Sequence, residues 1–199
     1  MRKTMSEIFE LAKNIKAVVL DVDGVFTQDT EYLLPGGGIA KVRSHYDGQG
    51  ISLMRAIDLR VVFITSESDK STGCEFIKRL VDKWNDLPSS RNINNPNGWF
   101  PVELFTGVDM SKDKGDLFQK WLLEKKLRAE DCVVMGDDLV DVPMLRMAGF
   151  KTAPAQAEKT IIEMVDWVTP RHGGGGAVRD LANLILEARQ IDPLCLPPR

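Results

Sequence analysis

Two short apolar runs end in paired carboxylates: Ala17-Val18-Val19-Leu20 leads directly into Asp21-Val22-Asp23-Gly24, and Cys132-Val133-Val134-Met135 into Gly136-Asp137-Asp138. Four consecutive apolar residues without polar alternation predict a strand buried on both faces, as in the parallel sheet of an α/β domain. Ligands in such sheets bind outside the carboxyl ends of the strands, so both acidic pairs are expected to face one crevice. Carboxylates crowded in a crevice repel one another unless a hard cation neutralises them. Two or three protein oxygens with open positions suit Mg²⁺ held together with a substrate phosphate. The pattern predicts a phosphoryl-transfer site.

The rest of the chain alternates strand and helix signals. A lead-in helix is predicted over residues 5–14. Residues 31–34 and 39–43 flank Pro35-Gly36-Gly37-Gly38, where glycines supply the positive φ values of a hairpin turn, and this hairpin should project from the active-site edge. A helix over 50–57 leads to a strand over 60–64 that ends at Thr65, and residues 71–81 carry Phe76, Ile77, Leu80 and Val81 at helical spacing. Residues 84–98 are rich in Asn, Pro and Ser and read as a long surface loop, uncommon inside a compact domain. Strands over 99–105, 132–135, 150–153 and 167–168 then alternate with helices over 114–124, 142–147, 157–164 and 178–188. The expected fold is α/β, a doubly wound, mostly parallel sheet with a small β-hairpin flap and no cap domain, as a single domain over residues 1–199.

Composition narrows the partners. A net charge of -3 with Lys and Arg spread along the chain argues against a nucleic-acid surface. No apolar stretch approaches the ~20 residues of a membrane span. Residues 1–15 are too charged and interrupted for a signal peptide, so a soluble, cytoplasmic protein is expected. Cys74, Cys132 and Cys195 are far apart and suggest neither a disulfide framework nor a zinc site. A calcium loop starting at Asp21 would need glycine at its sixth position and glutamate at its twelfth, where Phe26 and Tyr32 stand.

Asp21-Val22-Asp23-Gly24-Val25, a Thr at a later strand end, a Lys, and then Gly136-Asp137-Asp138-Leu139-Val140-Asp141 resemble the haloacid dehalogenase phosphatase superfamily. With Asp47-Gly48-Gln49-Gly50, Ala153-Pro154-Ala155-Gln156-Ala157 and Gly173-Gly174-Gly175-Gly176-Ala177-Val178-Arg179, the set is similar to the capless branch containing 3-deoxy-octulosonate 8-phosphate phosphatase. The resemblance implies that Asp21 is the nucleophile, Asp23 the general acid and base, Thr65 the hydroxyl that binds the transferring group, and Lys114 the lysine that holds Asp21 and phosphate. Lys112 is close enough to be confused with Lys114. The implied Mg²⁺ ligands are Asp21, Asp137 and the backbone carbonyl of Asp23. Asp138 and Asp141 could orient a metal-bound water or cap the helix near Leu139. Asp47 could instead cap the helix that follows it, and His45 and His172 lack metal-pair spacing.

Relatives of this kind close the site with neighbouring subunits in a homotetramer, which makes Arg179 a candidate for the substrate carboxylate. Residues 173–176 precede a helix and could bind an anion or act as a flexible linker. The same fold also serves as a non-catalytic oligomerisation domain attached to some acylneuraminate cytidylyltransferases, but Asp21, Asp23, Thr65, Lys114 and Asp137 together argue for catalysis. Where the octulosonate enzymes have Thr-Gly-Arg, this chain has Thr65-Ser66-Glu67. Glu67 offers only acceptors and suits sugar hydroxyls or an amine. It resembles phosphatases of nine-carbon keto-acid sugars. The implied substrate is a phosphorylated sugar acid, a 2-keto-3-deoxy compound of eight or nine carbons, with Ser66 and Glu67 as binding residues.

Overall fold

The computed structural model describes residues 3–68, 70–107 and 113–196. Strands β1 (Ala17–Leu20), β4 (Arg60–Ile64), β5 (Val102–Phe105), β6 (Cys132–Met135), β7 (Phe150–Ala153) and β8 (Trp167–Val168) form one sheet in the order β5-β4-β1-β6-β7-β8, every pairing parallel. The order reverses at β1: the chain first builds outward through β4 and β5, then returns to pair β6 with the other side of β1. Such a reversal opens a crevice at the strand ends. Strands β2 (Glu31–Leu33) and β3 (Ile39–Lys41) form a separate antiparallel hairpin inserted after β1, and the described residues contain no cap domain.

The strands bury both faces by side-chain alternation. Val18 and Leu20 of β1 point into a core with α1 (Met5–Asn14), α2 (His45–Ala56), α3 (Thr72–Asn85) and α7 (Ala177–Ala188). Ala17 and Val19 point into the opposite core, with α4 (Lys114–Lys125), α5 (Val142–Met147) and α6 (Lys159–Met164). The expected doubly wound sheet and hairpin flap are what the chain forms. Among the described residues no helix is long and apolar enough to cross a membrane.

Two helices differ most from the sequence expectation, and β5 starts three residues later than predicted, at Val102. Helix α2 starts at His45, five residues before the predicted start, because Ser44 caps it by accepting from the Tyr46 amide at 3.1 Å. Gly48 and Gly50 therefore lie inside a helix; a Cβ on Gly50 would sit 3.0 Å from Arg179 Cα, so this glycine permits close packing of α2 on α7. Helix α3 runs four residues past its predicted end to Asn85, carrying Trp84 into a cluster with Phe26 and Phe63 at ring separations of 5.8 and 6.3 Å.

The stretch read as a surface loop is consequently shorter and better anchored. The Arg55 side chain, fully buried, donates to Phe100 O, Trp84 O and Ser90 Oγ at 2.8, 3.2 and 2.7 Å, and Ser89 and Ser90 are buried. A buried cation fastening three points of a turn-rich segment is a contact that composition cannot reveal.

Candidate active site

Asp21 closes β1. Its amide donates to Met135 O at 3.1 Å, extending the ladder one residue beyond the strand, and the residue is 4% exposed. The chain then turns: Gly24 has φ +75°, and a Cβ there would lie 1.9 Å from Asp137 Oδ2. Only glycine allows backbone to pass so close to that carboxylate. Gly24 thus lets the two acidic loops meet.

Lys114 opens α4, whose end is capped by Asp113 accepting from the Asp116 amide at 3.0 Å. The Lys114 ammonium lies 2.7 Å from Asp21 Oδ1 and 2.8 Å from Asp141 Oδ1. Burial pushes this lysine towards neutrality, but Asp21 and Asp141 more than offset it, and its pKa ends above the ordinary value. Asp141 has both oxygens engaged, because Oδ2 accepts from the Asp137 and Asp138 amides at 2.9 and 3.3 Å. Asp138 accepts from the Leu139 amide at 2.6 Å and caps the 3-10 turn Leu139–Asp141. Asp138 and Asp141 therefore hold the loop together, and Asp141 also holds Lys114.

Burial, then the charge of Asp141, raises the Asp21 carboxyl well above the usual range, with Lys114 only partly opposing. Burial together with Asp141 and Asp138 pushes Asp137 up to about 7. Asp21 Oδ1 faces the Lys114 ammonium, while Asp137 Oδ1 is buried with no hydrogen-bond donor among the described residues. Ligand oxygens of Asp21, Asp137 and Asp141 lie within 4.8 Å of one another. Buried acceptors without donors cost roughly 1–3 kcal/mol each, more when charged, so this donor set fits a hard cation. With Asp141 engaged, Asp21 and Asp137 are the carboxylates left to take one.

A second cluster forms under the hairpin. Lys41 of β3 lies 2.7 Å from Asp23 Oδ1, 3.0 Å from Glu67 Oε2 and 3.1 Å from Glu31 Oε1, with its side chain 4% exposed. Burial again opposes the charge, and the hydrogen bonds to Asp23 and Glu67 more than offset it, leaving the lysine pKa above its usual value. Thr27 Oγ1 donates to the same Asp23 oxygen at 3.0 Å. Thr65, buried at the end of β4, accepts from the Glu67 amide at 3.1 Å through Oγ1, which shapes the turn carrying Ser66 and Glu67.

A cavity of about 450 Å³ joins the two clusters, lined by Asp21, Asp23, Thr65, Ser66, Glu67, Lys114 and Asp137 together with Asp29, Glu31 and Lys41. The structure brings together every sequence-predicted site residue except Arg179, whose Nε donates to Asn183 Oδ1 at 2.8 Å on α7 and which does not line the cavity. Lys112 lies outside the described residues. Lys41 escaped the sequence reading because one lysine on an exposed hairpin carries no spacing signal. A roomier groove of about 590 Å³ between α2 and α3, lined by Arg43, His45, Lys83 and Trp84 among others, holds no acidic pair.

Two further expectations are corrected. Asp47 does not cap its own helix; buried in the first turn of α2, it accepts from the Gly176 and Arg179 amides at 3.0 and 3.1 Å and caps α7. Residues 173–176 are neither a free anion nest nor a linker. Their amides donate in turn to Gln156 Oε1, Val25 O, His172 O and Asp47 Oδ2, and Gly173 and Gly174 pack against the turn after Asp23.

Comparison with known proteins agrees with this geometry. The haloacid dehalogenase-like hydrolase family matches residues 3–180. The 3-deoxy-D-manno-octulosonate 8-phosphate phosphatase KdsC of Salmonella typhimurium is 30% identical over 178 residues, covering 89% of this chain and 82% of that protein. Among solved structures, a probable YrbI family phosphatase from Pseudomonas syringae pv. phaseolica superposes with a TM-score of 0.77 at 29% identity, covering 92% of each chain. The cobalt-bound deoxy-D-mannose-octulosonate 8-phosphate phosphatase of Haemophilus influenzae gives 0.72 at 27% identity, covering 90% of this chain and 92% of that one. With the carboxylates and lysine of the sequence motifs gathered at one sheet edge, the chain belongs to the haloacid dehalogenase-like hydrolases, among the phosphatases similar to KdsC.

Proposed function

We propose that this phosphatase hydrolyses the phosphate ester of a 2-keto-3-deoxy sugar acid through a phosphoryl-aspartate on Asp21. The observation that carries the reading is the buried Asp21 carboxylate, set 2.7 Å from Lys114 and sharing a cavity with Asp23, Thr65 and Asp137. Asp21 attacks phosphorus as the bond to the sugar oxygen breaks, and that oxygen takes a proton from Asp23. Asp23 then removes a proton from water, which attacks phosphorus, frees inorganic phosphate and regenerates Asp21. Thr65 and Lys114 orient the transferring group by hydrogen bonding and charge. Asp21, Asp137 and the backbone carbonyl of Asp23 would hold Mg²⁺, which would supply positive charge to offset the repulsion between an anionic phosphate and the Asp21 carboxylate.

Two observations bear on substrate. The relatives are named for an eight-carbon acid phosphate, while Glu67 gives this chain an acceptor-only side chain beside Ser66 at the cavity, which favours a hydroxyl- or amine-rich sugar and extends the range to a nonulosonate 9-phosphate. The flap carries exposed Tyr32, Leu33 and Leu34, apolar surface suited to covering by another copy in a homotetramer. Only in such an assembly does Arg179 meet the substrate carboxylate. The deciding experiment is a phosphate-release screen of eight- and nine-carbon sugar acid phosphates with and without Mg²⁺; release from one of them in Mg²⁺ is expected, and release from none would sink the reading.

A further inference from the structure

We propose that Lys41 is a positioning residue for Asp23: it fixes which carboxylate oxygen exchanges the proton and couples that choice to the closed hairpin. This rests on the role given to Asp23 above.

Both donors that reach the Asp23 carboxylate bind the same oxygen. Lys41 Nζ lies 2.7 Å and Thr27 Oγ1 3.0 Å from Oδ1, and among the described residues no donor reaches Oδ2. When Asp23 holds a proton, the proton belongs on the oxygen that is not already accepting from Lys41 and Thr27, which is Oδ2. On leaving-group departure the O–H bond at Oδ2 breaks, the electron pair stays on the carboxylate, and the sugar oxygen gains the proton; in the second half-reaction Oδ2 takes one back from water.

Thr27 is buried at the end of the turn after Asp21, where its one hydroxyl hydrogen is shared between Asp23 Oδ1 and Val22 O at 3.0 and 3.2 Å, so it is fixed by the core. Lys41 is not. It comes from the hairpin, whose β2 is wholly exposed, and it is held in place by Glu67 at 3.0 Å and Glu31 at 3.1 Å. Gly73 at the start of α3 leaves the room: a Cβ there would meet Glu67 Oε1 at 2.3 Å and Lys41 Cε at 2.8 Å. The hairpin must therefore lie down over the site before Asp23 is fully oriented.

The test separates orientation of an acid from general support of the fold. Phenyl phosphate and 4-nitrophenyl phosphate are similar in size, but only the poorer leaving group, phenoxide, needs a proton as it departs. Lys41→Met is expected to lower kcat/KM for phenyl phosphate at least tenfold more than for 4-nitrophenyl phosphate, within the ~10²–10⁴-fold that general acid catalysis contributes. Lys41→Arg keeps the charge, and so protects folding, but moves the donor off Oδ1; it should show the same selective loss, smaller. Glu31→Gln, which loosens the hairpin that carries Lys41 without touching Asp23, should shift the ratio of the two substrates in the same direction and by less. Equal losses on both substrates in the two Lys41 variants, or a ratio left unchanged by Glu31→Gln, would overturn the proposal while leaving the phosphatase reading intact. A wild-type protein inactive on both esters and on the sugar acid phosphates would overturn both together.

Discussion

Two lysines organise this site, and they do so on different foundations. The Lys114 side chain is 2% exposed and bridges those of Asp21 and Asp141, which are 6% and 0% exposed, on elements welded to the sheet. Lys41 is nearly as buried, yet its partners Asp23, Glu31 and Glu67 remain 39%, 40% and 17% exposed, and its own strand stands on an exposed flap. The deep cluster keeps Asp21, the proposed nucleophile, buried and fixed. The shallow one arranges the groups proposed to meet the leaving sugar, where adaptation to different substrates is least costly to the fold.

The sharpest way to break this division is Asp21→Asn. A neutral amide is a poor nucleophile, so kcat should fall on the order of 10⁴–10⁶-fold, measured by phosphate release. Because burial and Asp141 already disfavour the Asp21 charge, the same substitution should hold or raise the melting temperature of the metal-free protein. Loss of activity with a marked loss of stability would mean that Asp21 supports the fold instead of straining it. Removing divalent metal with a chelator should silence the enzyme reversibly, with Mg²⁺ restoring it and Ca²⁺ restoring it poorly, since looser coordination misplaces the phosphate. Full turnover after exhaustive metal removal would contradict the reading of Asp137.

Next in size, Asp23→Asn should cost ~10²–10⁴-fold in kcat while inorganic phosphate still binds, because it removes proton transfer and leaves the deep cluster untouched. Titration calorimetry with phosphate checks the second half of that statement. Lys114→Met should cost about 3–5 kcal/mol in denaturant unfolding, since two buried carboxylates lose their counter-charge, whereas Lys41→Met, whose partners reach solvent, should cost about 1 kcal/mol. Equal costs would erase the contrast between the clusters.

How much of this was legible depended on whether the cause was local. The strands ending at Asp21 and Met135 could be read residue by residue because burial on both faces forces a continuous apolar run, and the sheet then delivers Asp21, Thr65 and Asp137 to one edge without further information. Sequence offers Asp47 only the helix that follows it as a capping partner, because the Gly176 and Arg179 amides it accepts from lie more than a hundred residues away in sequence. Trp84 was placed in a loop because the polar residues after it outweighed a packing partner, Phe63, that no window around it contains. Lys41 was missed for the same reason: three carboxylates converge on it from β2, the turn after β1 and the turn after β4.

The smallest expected effect falls on the shallow cluster and concerns which sugar is chosen. Glu67 accepts from Lys41 through Oε2 at 3.0 Å and lines the cavity beside Ser66, so a sugar hydroxyl or amine entering there meets a carboxylate already oriented by the flap. Glu67→Arg replaces that acceptor with donors and sets a guanidinium against the Lys41 ammonium. Efficiency towards a nine-carbon acid phosphate should fall while the eight-carbon ester is spared, shifting the ratio of kcat/KM values by more than roughly tenfold. Both substrates must be compared in one preparation, because loss of the Lys41 contact also disturbs Asp23 and lowers both rates in common. A common fall without a change in ratio would assign Glu67 to holding Lys41 alone, and sugar selection would then have to come from outside this cluster.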